Sequence, residues 1–379
     1  ALQLMAQDQA ISGRCAAKFH TVEKAFRANF DDGREIGAAI ALYLDGELVI
    51  DLWSGFRDAD KTLPWQEDTL VNVWSTTKGI AASCFALLVD RGKCAYDDKV
   101  ADYWPEFAAG GKDEVTIAQL LSHQAGLSAF AEPTSLDDFV DGRRLADSLA
   151  AQSPLWEPGS QSGYHAVTIG FLAAELFRRI TGASLTSFVE RELKPFDLHI
   201  GIANSELGRV ATIVPPAGMN AEGVVPDLNA LQAATLGNPA LEPDAANTAG
   251  WRQSEIPSAN GFANARGLAG LYSSITLGAP EAGLKLSEET LQQATRVRMS
   301  GPDAVLTIDA NWAAGFLRNS LNIYGPHEGA FGHSGWGGSF AFADPESGLA
   351  FSYVMNAMGT DLVGDPRTLR LLEALYQSL

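Results

Sequence analysis

The chain has 379 residues, of which 46% are hydrophobic and 19% charged, and its formal net charge at pH 7 is −19. This composition excludes disorder for most of the chain and is sufficient for a large core in two domains or lobes. The acidic charge disfavours nucleic acid and anionic membrane surfaces as partners, and no apolar run is long enough to span a bilayer. We therefore expect a neutral or cationic small molecule as the partner.

The cysteine and histidine content argues against a metal or a cofactor. Cys15, Cys84 and Cys94 are too few and too scattered for a disulfide framework or a paired metal motif. The six histidines form no H-E-x-x-H pattern, and the chain has neither a glycine-rich phosphate loop nor a dinucleotide fingerprint. We expect no metal and no cofactor. The free cysteines, and the absence of a basic segment followed by an apolar one at the start, favour a cytoplasmic location.

The first elements along the chain are predicted to be a helix and a β-hairpin. The stretch "KFHTVEKAFRANFDDG" has its apolar residues at helical spacing. After it, "IGAAIALYLDGELVIDLWSGF" contains two apolar runs joined at Asp45-Gly46, a dipeptide typical of a tight hairpin turn. The apolar face of the predicted helix consists of Phe19, Val22, Phe26 and Phe30.

The next segment, "VNVWSTTKGIAASCFALLVDRGK" at residues 71–93, predicts a helix that carries a serine and a lysine. Its apolar residues recur at helical spacing, and Gly92 is a C-terminal stop signal. Ser75 and Lys78 are three positions apart, so their side chains share one face. Burial at this place would lower the lysine pKa, which allows the amine to help activate the hydroxyl. The alternative is a helix-capping serine followed by a solvated lysine.

The middle of the chain, from about residue 95 to 290, is predicted to be mainly helical. Three stretches show helical periodicity between glycines and prolines: "VTIAQLLSHQAGL", "YHAVTIGFLAAELFRRITG" and "SLTSFVERELKPF". Residues 202–260 are rich in Ala, Pro, Asn and Gly and have weak periodicity. Because long loops in compact proteins are commonly functional, we expect this segment to form a wall or lid of a cleft.

Strand character returns towards the end of the chain. It is seen in "NWAAGFLRNS" and in "GSFAFADPESGLAFSYVMNA", where "DPESG" is the turn between two alternating runs. The last segment, "DPRTLRLLEALYQSL", predicts a helix with Asp365 as its N-cap and Pro366 at its first position.

This order of elements predicts an α+β fold. An antiparallel sheet is built from both termini and flanked by helices, and a mainly helical lobe is inserted between its halves. We expect residues 1–95 and 291–379 to form the sheet lobe, residues 96–290 to form the helical lobe, and the active site to lie in the cleft between them.

Three separate places in the sequence carry residues suited to acyl-transfer chemistry. The first is Ser75 with Lys78. The second is Tyr164 in "WEPGSQSGYHAVTIG", where a proline-glycine turn delivers a tyrosine to the start of a helix. The third is "FGHSGWGGSF" at residues 331–340, whose glycines let a strand backbone approach a ligand closely.

On these motifs, and over nearly its whole length, the chain resembles the penicillin-recognising serine hydrolases of the class C β-lactamase fold. That superfamily also includes D-stereospecific peptidases, transesterases and the family VIII carboxylesterases. The resemblance implies that Ser75 is the acylated nucleophile and that Lys78 and Tyr164 are the coupled base and proton shuttle. Lys78 would favour the Tyr164 phenolate, making the tyrosine a general base. The oxyanion would lie between the backbone N–H groups of Ser75 and Trp336.

The same resemblance implies a substrate-binding strand at residues 333–337. His333, Ser334 and Gly335 occupy the place of the Lys-Thr-Gly strand of β-lactamases. Trp336 and Gly337, followed by another glycine, match a motif typical of family VIII esterases. The indole of Trp336 would shape the acyl pocket.

Two departures from the β-lactamase pattern favour ester substrates. Two residues after the tyrosine, where β-lactamases usually have an asparagine, this chain has Ala166, which cannot hydrogen-bond an amide. His333 replaces a lysine that would attract the β-lactam carboxylate, and a histidine is mostly uncharged at neutral pH. His165, next to Tyr164, is a further candidate for lining the pocket.

Other residues are weaker candidates for catalysis. Tyr272 fits the tyrosine-x-serine form of the second motif, but it lies in an amphipathic helical run where tyrosines usually pack. We expect His123, in "LLSHQAGL", to bond the loop backbone rather than act as a base. The chain has no E-x-x-L-N segment for a class A deacylation base, and "GHSGW" does not complete a G-x-S-x-G elbow.

The function expected from this resemblance is a carboxylesterase that hydrolyses short-chain acyl esters through an acyl-serine intermediate, with a small-molecule ester as substrate. Three alternatives remain open. They are a β-lactamase or D-amino acid peptidase, an acyltransferase or transesterase using the same intermediate, and a non-catalytic binding module that kept the fold.

Overall fold

The computed structural model describes residues 10–217, 228–278, 283–361 and 364–379. Its strands are β1 (Ile11–Cys15), β2 (Gly37–Leu44), β3 (Glu47–Gly55), β4 (Val71–Asn72), β5 (His199–Ile200), β6 (Gly261–Ala263), β7 (Asn311–Trp312), β8 (Leu317–Arg318), β9 (Phe331–Ser334), β10 (Phe340–Asp344) and β11 (Leu349–Met355).

Its helices are α1 (His20–Asp31), α2 (Thr77–Asp90), α3 (Val100–Tyr103), α4 (Ile117–Leu121), α5 (Gly142–Ala151), α6 (Thr168–Thr181), α7 (Leu185–Glu192), α8 (Ala230–Gly237), α9 (Ala249–Gln253), α10 (Ala265–Leu277), α11 (Glu288–Thr295) and α12 (Pro366–Gln377). None of the helices in these described ranges is long and apolar enough to cross a membrane.

The two ends of the chain form one antiparallel sheet, as predicted. Within the described part of the chain its strand order is β1-β3-β2-β11-β10-β9-β8-β7. The β2–β3 hairpin turns at Asp45 and Gly46, which both have positive φ. Strand β11 pairs with β2 from Leu349 opposite Leu44 to Met355 opposite Ala38, and this register joins the two halves of the sheet.

Helices cover both faces of this sheet. Ile40 and Leu42 on β2 share a buried cluster with Phe26 of α1 and Leu375 of α12. The alternate residues Ala39 and Ala41 belong to the cluster on the other face, where α10 packs on β2, β10 and β11. Both faces are therefore buried, which explains why β2 is apolar almost throughout.

The predicted helical insertion is present between β4 and β7. One of its helices, α10, packs on the sheet, although our division of the chain assigns residues 96–290 to the helical lobe. That division remains a prediction. The segment 202–260 contains α8 and α9, and its residues 218–227 lie outside the described ranges. Cys15, Cys84 and Cys94 are free thiols.

The lysine-bearing helix α2 begins later than its sequence pattern suggests. Residues Val71–Asn72 form β4, which pairs with β6, and the helical backbone starts with a 3₁₀ turn at Trp74–Thr76. Every residue of α2 from Thr77 to Leu88 is buried. A helix that is apolar on all sides is stable only inside the protein, so Lys78 on this helix is held in the interior.

The small sheet β4-β6-β5 contains a titratable contact. The ring nitrogens of His199 lie 2.6 Å from a Glu190 oxygen and 2.7 Å from an Asp197 oxygen. Burial alone would lower the pKa of His199, but the hydrogen bonds to these two carboxylates outweigh burial and raise that pKa. The stability that the charged ring adds is therefore complete below its unfolded pKa of about 6.5 and is lost as the pH rises through the folded value.

We predict that His199→Gln lowers the free energy of unfolding by about 1 to 2 kcal/mol at pH 6 and by less at pH 9. The variant cannot carry the positive charge that the two carboxylates stabilise. Urea unfolding of both proteins at the two pH values measures the difference. An equal loss at pH 6 and pH 9 would contradict a charged His199.

Candidate active site

The 3₁₀ turn at the start of α2 presents Ser75. Trp74, just before the serine, has φ of 48°, a left-handed conformation that is strained for a large residue. The turn is bonded to β6 on its far side, where the Val73 N–H donates to the Gly261 carbonyl (2.9 Å) and the Gly261 N–H donates to Thr77 Oγ1 (2.8 Å). These bonds hold the strained turn in place.

Ser75, Lys78 and Tyr164, which are distant in sequence, meet at the serine oxygen. Lys78 Nζ lies 2.8 Å from Ser75 Oγ, and Tyr164 Oη lies 2.7 Å from the same atom. Both distances are within hydrogen-bond reach of a nucleophile and its base. Lys78 Nζ also lies 4.7 Å from the centre of the Tyr164 ring.

Lys78 is buried without a carboxylate. Its side chain donates to two backbone carbonyl oxygens, those of Ala166 (2.7 Å) and Ser258 (3.0 Å). None of the ion pairs between described residues includes Lys78. Burial therefore lowers the pKa of this lysine well below its ordinary value.

Tyr164 lies in a segment without regular secondary structure, four residues ahead of α6, rather than at the start of a helix as its sequence suggests. Its ring stacks on that of Trp312, with the ring centres 5.5 Å apart. Burial raises the pKa of Tyr164, the charge of Asp303 raises it further, and the hydrogen bond to Ser75 opposes this only in part. The expectation of a phenolate is thus not met, because the neutral phenol is the favoured form at this site.

Asp303 fixes the backbone around Tyr164. Its Oδ1 accepts the Tyr164 N–H (3.0 Å), and its Oδ2 accepts the indole N–H of Trp312 (2.9 Å). The same Oδ1 also accepts the backbone N–H groups of Val305 and Leu306. Asp303 is only 2% exposed, so these bonds satisfy a buried carboxylate and hold both stacked rings.

The glycine-rich segment after β9 lies directly against the nucleophile turn. Ser339 Oγ donates to the Val73 carbonyl (3.1 Å) and lies 2.9 Å from Thr76 Oγ1. A Cβ on Gly335 would lie 2.3 Å from the Val73 oxygen, so only glycine allows this approach. The next residue, Trp336, donates its N–H to no protein group in the described part of the chain. This leaves a backbone donor beside the Ser75 turn.

The other predicted residues of this segment differ in burial and in their hydrogen-bond partners. His333 is buried with its Nδ1 2.9 Å from the Ser334 carbonyl, and its Nε2 has no hydrogen-bond partner among the described residues. Burial is the main cause that lowers the pKa of His333 to about 3, so the ring is neutral. The Ser334 hydroxyl pairs with that of Tyr324 (2.9 Å). Trp336 is half-buried, and its ring centre is 5.1 Å from that of Trp74.

The structure does not place His165 where it could line a pocket. The ring is fully buried, its Nδ1 lies 2.6 Å from the Gly163 carbonyl and its Nε2 accepts the Leu127 N–H (3.0 Å). Both ring nitrogens are therefore occupied by hydrogen bonds to backbone groups. His123 has the structural role expected from the sequence, since its Nδ1 accepts the His165 backbone N–H (3.0 Å).

Tyr272, the competing tyrosine, does not hydrogen-bond Ser75. Its ring is fully buried, and its hydroxyl has no hydrogen-bond partner among the described residues. That hydroxyl packs against Gly79 of α2, where a Cβ would be only 2.0 Å from it. Tyr272 is thus a packing residue of α10.

Sequence reasoning missed Asp303 and the two carbonyl oxygens on Lys78. Backbone acceptors carry no residue-type signal, because any residue supplies a carbonyl. Asp303 lies in a loop with no recognisable motif, and nothing in its spacing relates it to Tyr164. Within the described ranges, no three His, Cys, Asp or Glu side chains are grouped so that they could hold a metal ion.

The sequence and the structure of this chain are both similar to those of known proteins. The model of a protein family described as Beta-lactamase matches residues 22–375. A relative from Mycobacterium tuberculosis, "Esterase/beta-lactamase LipL", is 35% identical over 367 residues, covering 93% of this chain and 84% of that protein.

Two solved structures have the same fold at a TM-score of 0.91 each. One is a family VIII carboxylesterase that is 43% identical, and the alignment covers 98% of this chain and 100% of that one. The other is a penicillin-binding protein homologue from Caulobacter crescentus that is 45% identical, with the same coverage.

We predict that Asp303→Ala lowers the free energy of unfolding by about 3 kcal/mol, because several buried donors lose their acceptor. Any activity that needs the Tyr164 hydroxyl at Ser75 should fall at least about tenfold. Urea unfolding and steady-state kinetics measure the two effects. The exposed Asp309→Ala is the matched control, and a D303A protein as stable and active as the control would contradict the anchoring role.

Proposed function

The chain belongs to the beta-lactamase family, and on that premise we propose that it is a carboxylesterase that hydrolyses short-chain acyl esters through a covalent acyl-Ser75 intermediate. The observation that carries the proposal is the meeting of an amine and a phenol at one serine oxygen, at 2.8 and 2.7 Å. The relatives named as an esterase and a family VIII carboxylesterase support the ester as substrate.

Lys78 acts as the base that activates Ser75. A neutral amine has two N–H donors and one lone pair. The carbonyls of Ala166 and Ser258 can only accept, so they take the two N–H bonds. The lone pair is then directed at the Ser75 hydroxyl, 2.8 Å away. The lowered pKa of Lys78 favours the neutral amine, which can receive the serine proton as the acyl carbon is attacked.

Tyr164 acts as the proton shuttle. As a neutral phenol it donates to Ser75 Oγ, which orients the serine hydroxyl towards Lys78. When the tetrahedral intermediate collapses, the bond from the acyl carbon to the leaving oxygen breaks, and that oxygen takes a proton. Tyr164 supplies this proton and is reprotonated by the Lys78 ammonium. Water then repeats the sequence on the acyl-enzyme and releases the acid.

Two backbone N–H groups, those of Ser75 and Trp336, are proposed to hold the oxyanion. The Trp336 N–H has no acceptor among the described protein groups, and Gly335 lets its segment lie against the Ser75 turn. Donors aimed at the developing charge, with water excluded, are commonly the largest single contribution to acyl transfer.

The residues around the site favour esters over β-lactams. Ala166 lacks an amide side chain, and its carbonyl oxygen is occupied by Lys78. His333 is buried and neutral, so it has no charge for a substrate carboxylate. An uncharged acyl ester needs neither group. The expected cytoplasmic location and the absence of nucleic-acid and membrane partners remain predictions from composition.

A second candidate function is β-lactam hydrolysis, because the Mycobacterium tuberculosis relative is named both esterase and beta-lactamase. It uses the same acyl-serine chemistry, so a lactam substrate distinguishes the two. Acyl transfer to an added alcohol, in competition with water, would identify the acyltransferase alternative.

We predict that the protein hydrolyses p-nitrophenyl acetate and butyrate and that Ser75→Ala lowers kcat by about 10⁴-fold or more. Nitrocefin, assayed in parallel, should be cleaved slowly or not at all. Because Ser83 is buried on the same helix and donates its hydroxyl to the Gly79 carbonyl, Ser83→Ala is the matched control and should keep activity. Ester turnover that survives Ser75→Ala would overturn the proposal, and preferred nitrocefin cleavage would favour the second candidate.

We predict that kcat/KM rises with pH through the lowered pKa of Lys78 and then stays level to beyond pH 10, because the Tyr164 pKa is raised. Tyr164→Phe should keep this acid limb and lower its plateau by about 10² to 10⁴-fold. Lys78→Met should remove the limb together with most of the activity. An acid limb that persists in Lys78→Met and disappears in Tyr164→Phe would make the tyrosine the base.

A further inference from the structure

The proposed oxyanion donor, Trp336, lies in a tight turn that we call the oxyanion turn, residues 335–339. The Gly338 N–H donates to the Gly335 carbonyl (3.2 Å), and the Gly335 N–H donates to the Ser339 carbonyl (2.8 Å). Because a peptide group is planar, the direction of the Gly335 carbonyl fixes that of the Trp336 N–H. Anything that holds this turn therefore aims the donor.

The first turn of α12 holds the far side of the oxyanion turn. Arg367 Nη2 donates to the Gly337 carbonyl (2.8 Å), which also accepts the Gly359 N–H (2.8 Å). The hydroxyl of Thr368 donates to the Gly338 carbonyl (2.8 Å). Two successive carbonyls of the turn are thus fixed by successive residues of the C-terminal helix.

Arg367 is itself held rigidly. The side chain is only 3% exposed and forms ion pairs with Glu35 and Asp365. Its Nη1 also donates to the Ala357 carbonyl (2.8 Å). A buried charge is tolerated only when its donors are paired, so the guanidinium cannot swing away from the turn at low cost.

The turn has little room to move against the segment that leads into this helix. Gly337 and Gly338 have φ of 94° and 129°, which strain any residue with a Cβ. A Cβ on Gly337 would lie 2.8 Å from Met358 Cγ, and one on Gly338 would lie 3.1 Å from Asp365 Oδ2. The oxyanion turn is therefore held by close packing as well as by hydrogen bonds.

From these contacts we propose that Arg367 is a positioning residue for catalysis: through the Gly337 carbonyl, and together with Thr368 on Gly338, it aims the Trp336 N–H at the oxyanion. The inference rests on the proposed esterase function. It gives the C-terminal helix, which is not among the hydrogen-bond partners of Ser75 and Lys78 in the described residues, a role in stabilising the transition state.

The test compares Arg367→Lys with Arg370→Lys. Arg370 lies on the same helix, but its guanidinium contacts Asn29 and Asp32 instead of the turn. With p-nitrophenyl butyrate, Arg367→Lys should lower kcat about tenfold or more while KM stays within about twofold, because only the transition state carries the oxyanion. Arg370→Lys should leave both constants unchanged.

Thr368→Val is a second test of the positioning role, in a variant that keeps the buried ion pairs of Arg367. It removes only the hydroxyl bond to Gly338 and should lower kcat about threefold with little change in the melting temperature. For Arg367→Lys and Thr368→Val alike, binding of phenylboronic acid, whose tetrahedral serine adduct places an oxygen at the oxyanion position, should weaken in parallel with kcat.

Unchanged kcat and boronic acid affinity in folded Thr368→Val and Arg367→Lys would overturn the positioning role, even if Arg367→Lys melts at a lower temperature. A fall in kcat for Arg370→Lys equal to that for Arg367→Lys would also overturn it, since the effect would then be general to the helix. A wild-type protein without ester turnover would instead overturn the proposed function on which this inference rests.

Discussion

The burial of Lys78 without a carboxylate partner is the constraint on which the proposed mechanism depends. A lysine in the interior loses hydration, and backbone carbonyls compensate only part of that loss. Two carbonyl oxygens and one serine oxygen surround its amine. The pKa of Lys78 falls in consequence, so the neutral amine, which can accept a proton, is more favoured than in a solvated lysine. A carboxylate beside Lys78 would keep the proton on the amine and remove that base.

The fold supplies this environment by bringing four distant segments together. Ser75 lies in the 3₁₀ turn before α2 and Lys78 in the first turn of that helix, Tyr164 and Ala166 lie in the segment before α6, and Ser258 precedes β6. The fourth segment is the turn after β9, in the sheet that the two chain ends form together. Pairing of β2 with β11 joins the half of the sheet that contains this turn to the half formed by the start of the chain.

Much of this organisation could be predicted from the sequence, because it depends on periodicity and on turn chemistry. The Asp45-Gly46 hairpin, the paired strands around "DPESG" and the Asp365-Pro366 helix start are all present in the structure. The motifs around Ser75, Tyr164 and residues 331–340 also indicated which side chains would meet. What could not be predicted was the role of backbone atoms and buried partners. Three features depend on tertiary packing: the carbonyl oxygens that accept from Lys78, the bonds of Asp303 around Tyr164, and the backbone hydrogen bonds that keep His165 out of the pocket.

Identification of the acylated residue tests the central claim most directly. The protein is mixed with p-nitrophenyl acetate, quenched in acid during turnover, digested and analysed by mass spectrometry. We expect one acetyl group on the peptide that contains Ser75, and none in the same experiment with Ser75→Ala. An acetyl group on another residue that disappears when that residue is replaced, or turnover with no covalent intermediate in either protein, would contradict the account.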